Sequence, residues 1–357
     1  MKTYKKFLIN IFTFSLLKVF LVFFGIVLLT NILEQSEFFK DADFTFIYIV
    51  FLSFLNSPSI IFEILPFIFL ISTQVFFIEL INKNELQIFK YQGLNNNKIV
   101  KIISMYSFVL ALIFVVFFYN LSSILKNSYL TIKNKHSKDG KYLAVINKNG
   151  LWIRDKINGQ TNIINANKIQ NEFLLNVSIS QFNSQFKIIN IIQAEKADIS
   201  STDWKIINPK ILKDNITISK NLINFQSNFD LKKINSLFSN LSSLSLVELI
   251  NLRNNYILLN YSVIDVTSHL YKIISYPVYL TLMTIFSAVI MFNIKYQKNS
   301  IFKVSLGIFL SVIIYYVNYF FYILGTSEKL PLLLSITLPL IILLIINFTS
   351  IIKLNEK

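Results

Sequence analysis

The stretch Phe7–Leu33, FLINIFTFSLLKVFLVFFGIVLLTNIL, decides the fold class because Lys18 is its single charged residue. A helix needs about 20 apolar residues to cross the hydrocarbon core of a bilayer. Three lysines precede the run, and no small-residue cleavage site follows a short apolar core. We therefore interpret it as a retained first membrane span. The long stem of Lys18 can reach the lipid headgroups from inside the span.

The rest of the chain repeats this pattern. Its residues are 54% hydrophobic and its mean hydropathy is +0.56, which is typical of a polytopic membrane protein. Phe44–Leu55 is apolar but too short to cross, so we predict an interfacial helix that the breaker Asn56-Ser57-Pro58 ends. Five more spans are predicted at Ser59–Ile81, Ile99–Leu125, Ile273–Ile294, Ile301–Leu324 and Leu332–Ile352.

The basic residues of the short loops predict the orientation of the spans. Twelve lie on one side, at the two termini, around residues 83–101 and around residues 295–303, whereas the other side holds Lys40 and Lys329. Short cytoplasmic loops carry an excess of Lys and Arg. We therefore expect both termini in the cytoplasm and residues 126–265 outside it.

Residues 126–265 differ in character from the spans. Short β-branched and apolar runs are separated by polar clusters at spacings near ten residues, which is typical of an antiparallel β sandwich or roll. A capping box, Ser245-x-x-Glu248, then opens a predicted helix over Leu246–Leu259. The predicted domains are therefore residues 1–125, with three spans, residues 126–265, a β domain, and residues 266–357, with three more spans.

The composition excludes several functions. The chain has no Cys and two His, so it offers no thiolate or His-based metal site, and we expect no cofactor. No two glycines lie five residues apart, so a P-loop is impossible and any ATP must be used by a partner. The net charge is +15, but the lysines cluster at span ends, which favours topology signals over nucleic-acid binding.

Three stretches, in this order, resemble the LptF/LptG (YjgP/YjgQ) permease family, which extracts lipopolysaccharide from the bacterial inner membrane. They are Asp43-Phe44-Thr45 through Asn56-Ser57-Pro58 to Glu63-Ile64-Leu65-Pro66, then Asn84-Glu85-Leu86 through Gly93, then Gly150-Leu151-Trp152-Ile153-Arg154-Asp155. The order of elements is also similar over nearly the full length. The Gly-Leu-Trp stretch favours the LptG branch over the LptF branch.

The resemblance implies an architecture of six transmembrane helices with a periplasmic antiparallel β-jellyroll between the third and fourth. It also implies an inner-membrane ABC-type complex with an LptF-like permease subunit, an LptB-like ATPase dimer and an LptC-like periplasmic bridge protein. The first and fifth spans would line a cavity for the lipid, and the jellyroll would receive its acyl chains.

The resemblance also implies site residues. Glu85, Leu86 and Phe89, in a short helix over Glu85–Gln92 that Gly93 ends, would couple the permease to the ATPase. LptG often has lysines at the outer end of its first span, where this chain has Glu34 and Glu37 among other residues. The lipid phosphates would then be contacted elsewhere, and the candidates for lipid binding are Lys40, Lys133, Lys135 and Trp152. For Trp152, packing in the domain core is the alternative.

Three other functions are alternatives from the sequence. A plain membrane anchor for a periplasmic binding module would need fewer than six spans. The chain could be the LptF paralogue of the same complex. It could also be a mechanotransmitting ABC subunit that acts on a periplasmic partner without moving lipid, although such proteins typically have four spans.

Overall fold

The chain divides into two compact units, which we describe separately. A membrane unit contains Met1–Tyr129 and Ile264–Lys357, and a β unit contains Leu130–Val263. The computed structural model describes residues 3–40, 45–135, 151–157, 159–170, 172–213, 216–231, 234, 240–258, 262–293 and 300–355. One predicted strand, Tyr142–Ile146, lies outside these residues.

Six described helices are long and apolar enough to cross a membrane, which confirms the prediction of six spans. The second and fourth spans are the most buried and the fifth is the least buried. The helices of the membrane unit are Thr3–Phe38, Phe46–Asn82, Glu85–Tyr91, Asn96–Ile113, a π-helical turn over Phe114–Phe118, Tyr119–Lys135 (which continues into the β unit), Ile264–Asn293, Ser300–Thr326 and Leu332–Asn355.

The second span corrects one prediction. Asn56-Ser57-Pro58 does not end a helix, because Phe46–Asn82 is one helix with two internal prolines. The breaker segment is buried, and Asn56 donates to the Asn31 side chain of the first span at 2.9 Å, while Asn31 donates to Ser57 Oγ at 3.2 Å. Tertiary packing thus stabilises a helix that local propensity disfavours.

The second internal proline, Pro66, is accommodated by the fourth span. A proline has no N–H, so it leaves the carbonyl four residues earlier without its helical donor. That carbonyl belongs to Phe62, and the Tyr276 hydroxyl donates to it at 2.7 Å and lies 3.0 Å from the Glu63 carbonyl. The two most buried spans are therefore joined where the second helix lacks a hydrogen bond of its own.

The β unit contains one antiparallel sheet, as predicted for the segment between the third and fourth spans. The first four strands pair in the order of the sequence. β4 pairs with both β5 and β6 in a single register, so β5 and β6 continue one another along the same line. β5 pairs with β8 and β6 pairs with β7, also in a single register. The eight strands therefore form an antiparallel meander of six lines. The strands are β1 Leu151–Ile157, β2 Gln160–Gln170, β3 Phe173–Phe182, β4 Ile188–Asp198, β5 Asp203–Ile207, β6 Lys210–Lys213, β7 Ile216–Ser219 and β8 Leu222–Gln226.

One row of residues, which we call the crease row, interrupts the regular pairing across the meander. Most residues beside this row are direct partners across the strands. At the row itself the ladders lapse, apart from a hydrogen bond from Asn208 N–H to the Asn221 carbonyl. Asn176 and Asn208 have φ values of 50° and 49°. Asn tolerates this left-handed conformation better than most residues. The crease row is Asn167, Asn176, Glu195, Asn208 and Asn221.

The alternation of buried side chains shifts by one residue at the crease row. Leu174 and Val177 are both buried, as are Ile192 and Ala197, although positions three or five apart point to opposite faces of a regular strand. The row therefore divides the sheet into two leaves. Leaf A contains β1, β6, β7 and the adjoining parts of β2 to β4, and leaf B contains β5, β8 and the opposite ends of β2 to β4.

A helix follows the sheet. It spans Leu246–Leu258, and its capping box is confirmed, because the Glu248 carboxylate accepts from both the N–H and the hydroxyl of Ser245 at 2.8 Å.

Candidate functional site

The helix between the second and third spans, Glu85–Tyr91, is the first candidate feature, and we call it the loop helix. Its end is a Schellman motif, in which Leu94 N–H donates to the Phe89 carbonyl at 2.9 Å and Gly93 N–H donates to the Lys90 carbonyl at 3.0 Å. Gly93 has a φ of +78°, which favours glycine. The prediction that Gly93 ends this helix is confirmed.

The apolar side chains of the loop helix divide between two faces. Leu86 and Phe89 are buried in a cluster with residues of the first four spans. They hold the helix in place, and their part in coupling the permease to the ATPase stays a prediction. The apolar side chains that remain exposed are Ile88, at 51%, and Tyr91, at 88%.

Glu85 lies in a depression of about 300 Å³ between the loop helix and the first turn of the first span. Its Oε2 atom is buried and has no hydrogen-bond partner among the described residues. The nearby cation Lys83 donates to Glu79 at 2.8 Å, and this bond raises the pKa of Lys83. The other lining residues are mostly apolar or aromatic: Thr3, Tyr4, Phe7, Ile88, Phe89 and Gln92. The depression thus offers a half-buried carboxylate, with one buried oxygen, within mostly apolar walls.

The fifth span presents an apolar and aromatic surface. It packs on the second, fourth and sixth spans, yet Tyr316, Tyr319 and Phe320 are more than half exposed. Tyr315 and Tyr319 stack at 6.4 Å between ring centroids. In a membrane protein, such a surface is covered by lipid or by another subunit.

A glycine fixes the fifth span against the second. Gly307 allows the Gln74 side chain to approach, and Gln74 donates to the Lys303 carbonyl at 2.9 Å. A Cβ atom at position 307 would overlap the Gln74 amide. The exposed fifth span is thus attached to a buried one by a close polar contact.

Comparison with known proteins identifies the family. The family model described as lipopolysaccharide export system permease LptF/LptG matches residues 6–353. The chain belongs to the LptF/LptG family. A comparison with curated proteins found no match.

Membership gives the chain a permease role in lipopolysaccharide transport, consistent with its six apolar helices and inserted β domain. The family indicates a multi-pass protein of the inner membrane that works in an Lpt complex with other permease and ATPase partners. The family consists of transport proteins. In this chain, the exposed fifth span and the depression at Glu85 are the candidate contact surfaces.

The lysines predicted for lipid binding differ in their surroundings. Lys40 follows the first helix and is exposed. Lys133 is only 5% exposed, so in this conformation it does not present its ammonium to solvent. The side chain of Lys135 lies outside the described part of the chain. Of these lysines, Lys40 lies in the membrane unit and exposes its side chain.

Trp152 is not a core residue, which corrects one of its two interpretations. It is 55% exposed, because it lies on the outer face of β1 between the buried Leu151 and Ile153. The buried tryptophan is Trp204, whose Nε1 donates to the Phe229 carbonyl at 2.7 Å.

Asp155, three residues after Trp152 in β1, was not predicted as a site residue, although it is fully buried. Its carboxylate accepts from Ser227 Oγ at 2.8 Å, from Asn228 N–H at 3.0 Å and from Asn228 Nδ2 at 2.7 Å. The signal that could have revealed it is a charge at an inward position of an alternating strand, Leu151, Ile153, Asp155.

Proposed function

We propose that this chain is the LptG-type permease subunit of an ABC-type complex that extracts lipopolysaccharide from the inner membrane and passes it to a periplasmic bridge. A partner ATPase supplies the energy. The observation that carries the proposal is the Glu85 carboxylate in an apolar depression on the loop helix, where its Oε2 atom is buried and accepts no hydrogen bond from the described residues.

The depression fits an arginine or lysine side chain of the ATPase. The apolar walls, including Phe7 and Ile88, suit the methylene stem, and Glu85 suits the charged head. A partly buried carboxylate without a cation is costly, whereas a paired one fixes the geometry of docking. Because Phe7 and Phe89 are in edge contact at 6.0 Å, motion of the loop helix would reach the first span directly.

The distribution of lysines supports an orientation in which the ATPase meets this depression. With twelve basic residues on the loop-helix side and two on the other, both termini and the loop helix are cytoplasmic. The β unit is then periplasmic, where it would receive lipid from the membrane unit.

The exposed surface of the fifth span supports lipid handling over a purely mechanical role. A subunit that only transmits force to a periplasmic partner needs no extended aromatic surface within the bilayer. With the first span, the fifth would face an LptF-like subunit across a cavity for the acyl chains. The Gly-Leu-Trp stretch at the start of β1 supports the LptG branch.

Co-purification with the cognate ATPase and second permease subunit tests the proposal. We expect the complex to retain lipopolysaccharide and to release it on ATP addition to an LptC-like acceptor. Glu85→Ala should weaken ATPase binding about 5- to 100-fold, from the loss of a partly buried charged contact of about 1–3 kcal/mol. Gln87→Ala, on the exposed side of the same helix, is the matched control.

Two results would contradict the proposal. A stable complex with normal ATPase activity but no bound lipopolysaccharide would favour the mechanotransmitting alternative. A Glu85→Ala complex that assembles and transports like the parent would show that Glu85 is only a surface carboxylate.

A further inference from the structure

The segment that follows β8, Ser227–Leu231, crosses the end of leaf B, and we call it the strap. Ser227 N–H donates to the Thr202 carbonyl and Leu231 N–H donates to the Ile199 carbonyl, both at 2.8 Å. Phe229 is fully buried, and its carbonyl accepts from Trp204. The strap is therefore firmly attached to leaf B.

The strap meets leaf A at Asp155. The three hydrogen bonds from Ser227 and Asn228 converge on this one carboxylate, and we call this contact the clasp. Asp155 pairs with Asn162, which lies five residues before Asn167 of the crease row. Ser227 lies six residues after Asn221 of the same row. The clasp thus joins the two leaves at the ends remote from the crease.

The space between the leaves is closed in this structure except beside β6 and β7. There Ile211 and Ile218, which lie in line with Ile192 across the sheet, are half-buried and 44% exposed, respectively. Twelve other inward apolar side chains are at most 7% exposed: Leu151, Ile153, Ile164, Ala166, Val177, Ile179 and Ile192 in leaf A, and Leu174, Ala197, Trp204, Ile206 and Phe225 in leaf B. The twelve buried side chains become accessible to an acyl chain when the leaves separate. Separation about the crease row requires the clasp to break.

A polar clasp suits repeated opening. A buried carboxylate is stable only while its hydrogen bonds are made, and charge-assisted bonds are strong and directional. When the leaves part, water can replace the donors of Ser227 and Asn228, so opening exchanges hydrogen bonds instead of leaving them unmade. An all-apolar seam of the same length would gain no such compensation from water.

We propose that the clasp between Asp155 and the strap is a gate through which the acyl chains of the lipid enter laterally between the leaves. This inference rests on the proposed function, because it takes the lipid as the cargo of the β unit. Asp155 acts as a positioning residue that holds the closed state, and the crease row is the hinge.

The opening step can be measured without lipid or ATPase. The chain has no native Cys, so Ile179→Cys places a single thiol between the leaves of the full-length protein in detergent. Adding Asp155→Asn should raise its rate of modification by a maleimide about tenfold or more, from the loss of charge-assisted hydrogen bonds. Asn162→Ala, next to Asp155 in the sheet but outside the clasp, should leave the rate unchanged. Equal rates with and without Asp155→Asn would overturn the gate.

The passage of lipid is tested by locking the gate. The side chains of Asp155 and Ser227 are in contact, so Asp155→Cys with Ser227→Cys can form a disulfide across the seam. The working complex then carries a photo-crosslinking residue at position 179. Oxidation should reduce ATP-dependent lipid adducts at least about tenfold, because the disulfide prevents the gate from opening. Reduction should restore them.

Asn162→Cys with Gln181→Cys is the control, because it joins neighbouring strands of leaf A only. Undiminished adducts in the oxidised seam pair would disprove the gate. A lack of adducts in the parent would instead count against the proposed function, and the thiol measurement would still decide whether the clasp governs opening.

Discussion

The contact between Tyr276 and the proline-containing second span gives a quantitative prediction. Tyr276→Phe removes the hydroxyl that donates to the Phe62 carbonyl and lies 3.0 Å from the Glu63 carbonyl, but it keeps the ring, which stacks on Phe62 at 4.8 Å between centroids. Hydrogen bonds between membrane helices are worth about 0.6 kcal/mol on average and up to about 1.7. We expect the free energy of unfolding to fall by about 1–2 kcal/mol, because the Phe62 carbonyl then has no helical donor either.

The same substitution should cost less in a Pro66→Ala background. The introduced alanine supplies an N–H four residues after Phe62, so that carbonyl regains its helical donor and only the contact with Glu63 is lost with the tyrosine hydroxyl. The cost of Tyr276→Phe should then be about half, and the difference is the coupling energy of a double-mutant cycle. Denaturation in mixed micelles followed by circular dichroism measures all four proteins. Costs that agree within about 0.3 kcal/mol in the two backgrounds would refute the argument.

Three further outcomes are expected. In intact spheroplasts, a cysteine at Asn95 should resist an impermeant thiol reagent and one at Gln185 should react; the opposite pattern would invert the topology. Gly307→Leu should destabilise the protein by about 1–3 kcal/mol in a thermal unfolding assay, because the new side chain overlaps a buried amide of the second span. Gly25→Leu, where a Cβ atom meets open space, should cost far less. Lys40→Glu should lower lipopolysaccharide co-purification about 30-fold, because each unit charge near the headgroups contributes about 1 kcal/mol and the reversal changes two, whereas Lys40→Arg should preserve it.

Features governed by local sequence were predictable. A run such as Phe7–Leu33 can satisfy its backbone in a bilayer only as a helix, so length and hydropathy were enough to find the spans. Gly93 and the Ser245–Glu248 capping box are local signals whose partners lie within five residues, and the structure contains both.

Features governed by distant partners were not predictable in the same way. The breaker Asn56-Ser57-Pro58 fails to end its helix because Asn31, 25 residues earlier, pairs with it. At the loop helix, the sequence could not show that Leu86 and Phe89 face the chain's own spans, and the role predicted for Glu85 stays a prediction. Which apolar residues remain for a partner depends on contacts with helices far away in sequence.

The β unit shows a third kind of limit. The period-two pattern predicts which residues share a face, but a left-handed residue such as Asn176 shifts the pattern by one position. Trp152 and Asp155 illustrate the result, since the large apolar residue faces outward and the charged residue faces inward. Alternation counted from Leu151 gives both orientations correctly, whereas residue type alone gives neither.

The separation of 72 residues between Asp155 and Ser227 has a consequence for the synthesis of the protein. All strand pairs of the meander are local in sequence, and local contacts form early in folding. At about 5–20 residues per second, the ribosome needs about 4–14 s to add the strap after β1 has been made. During that time the hairpins can pair, but the Asp155 carboxylate has no donor from the strap and stays in water. The leaves are therefore assembled in the open state, and the β unit closes only when the last strand and its strap have arrived.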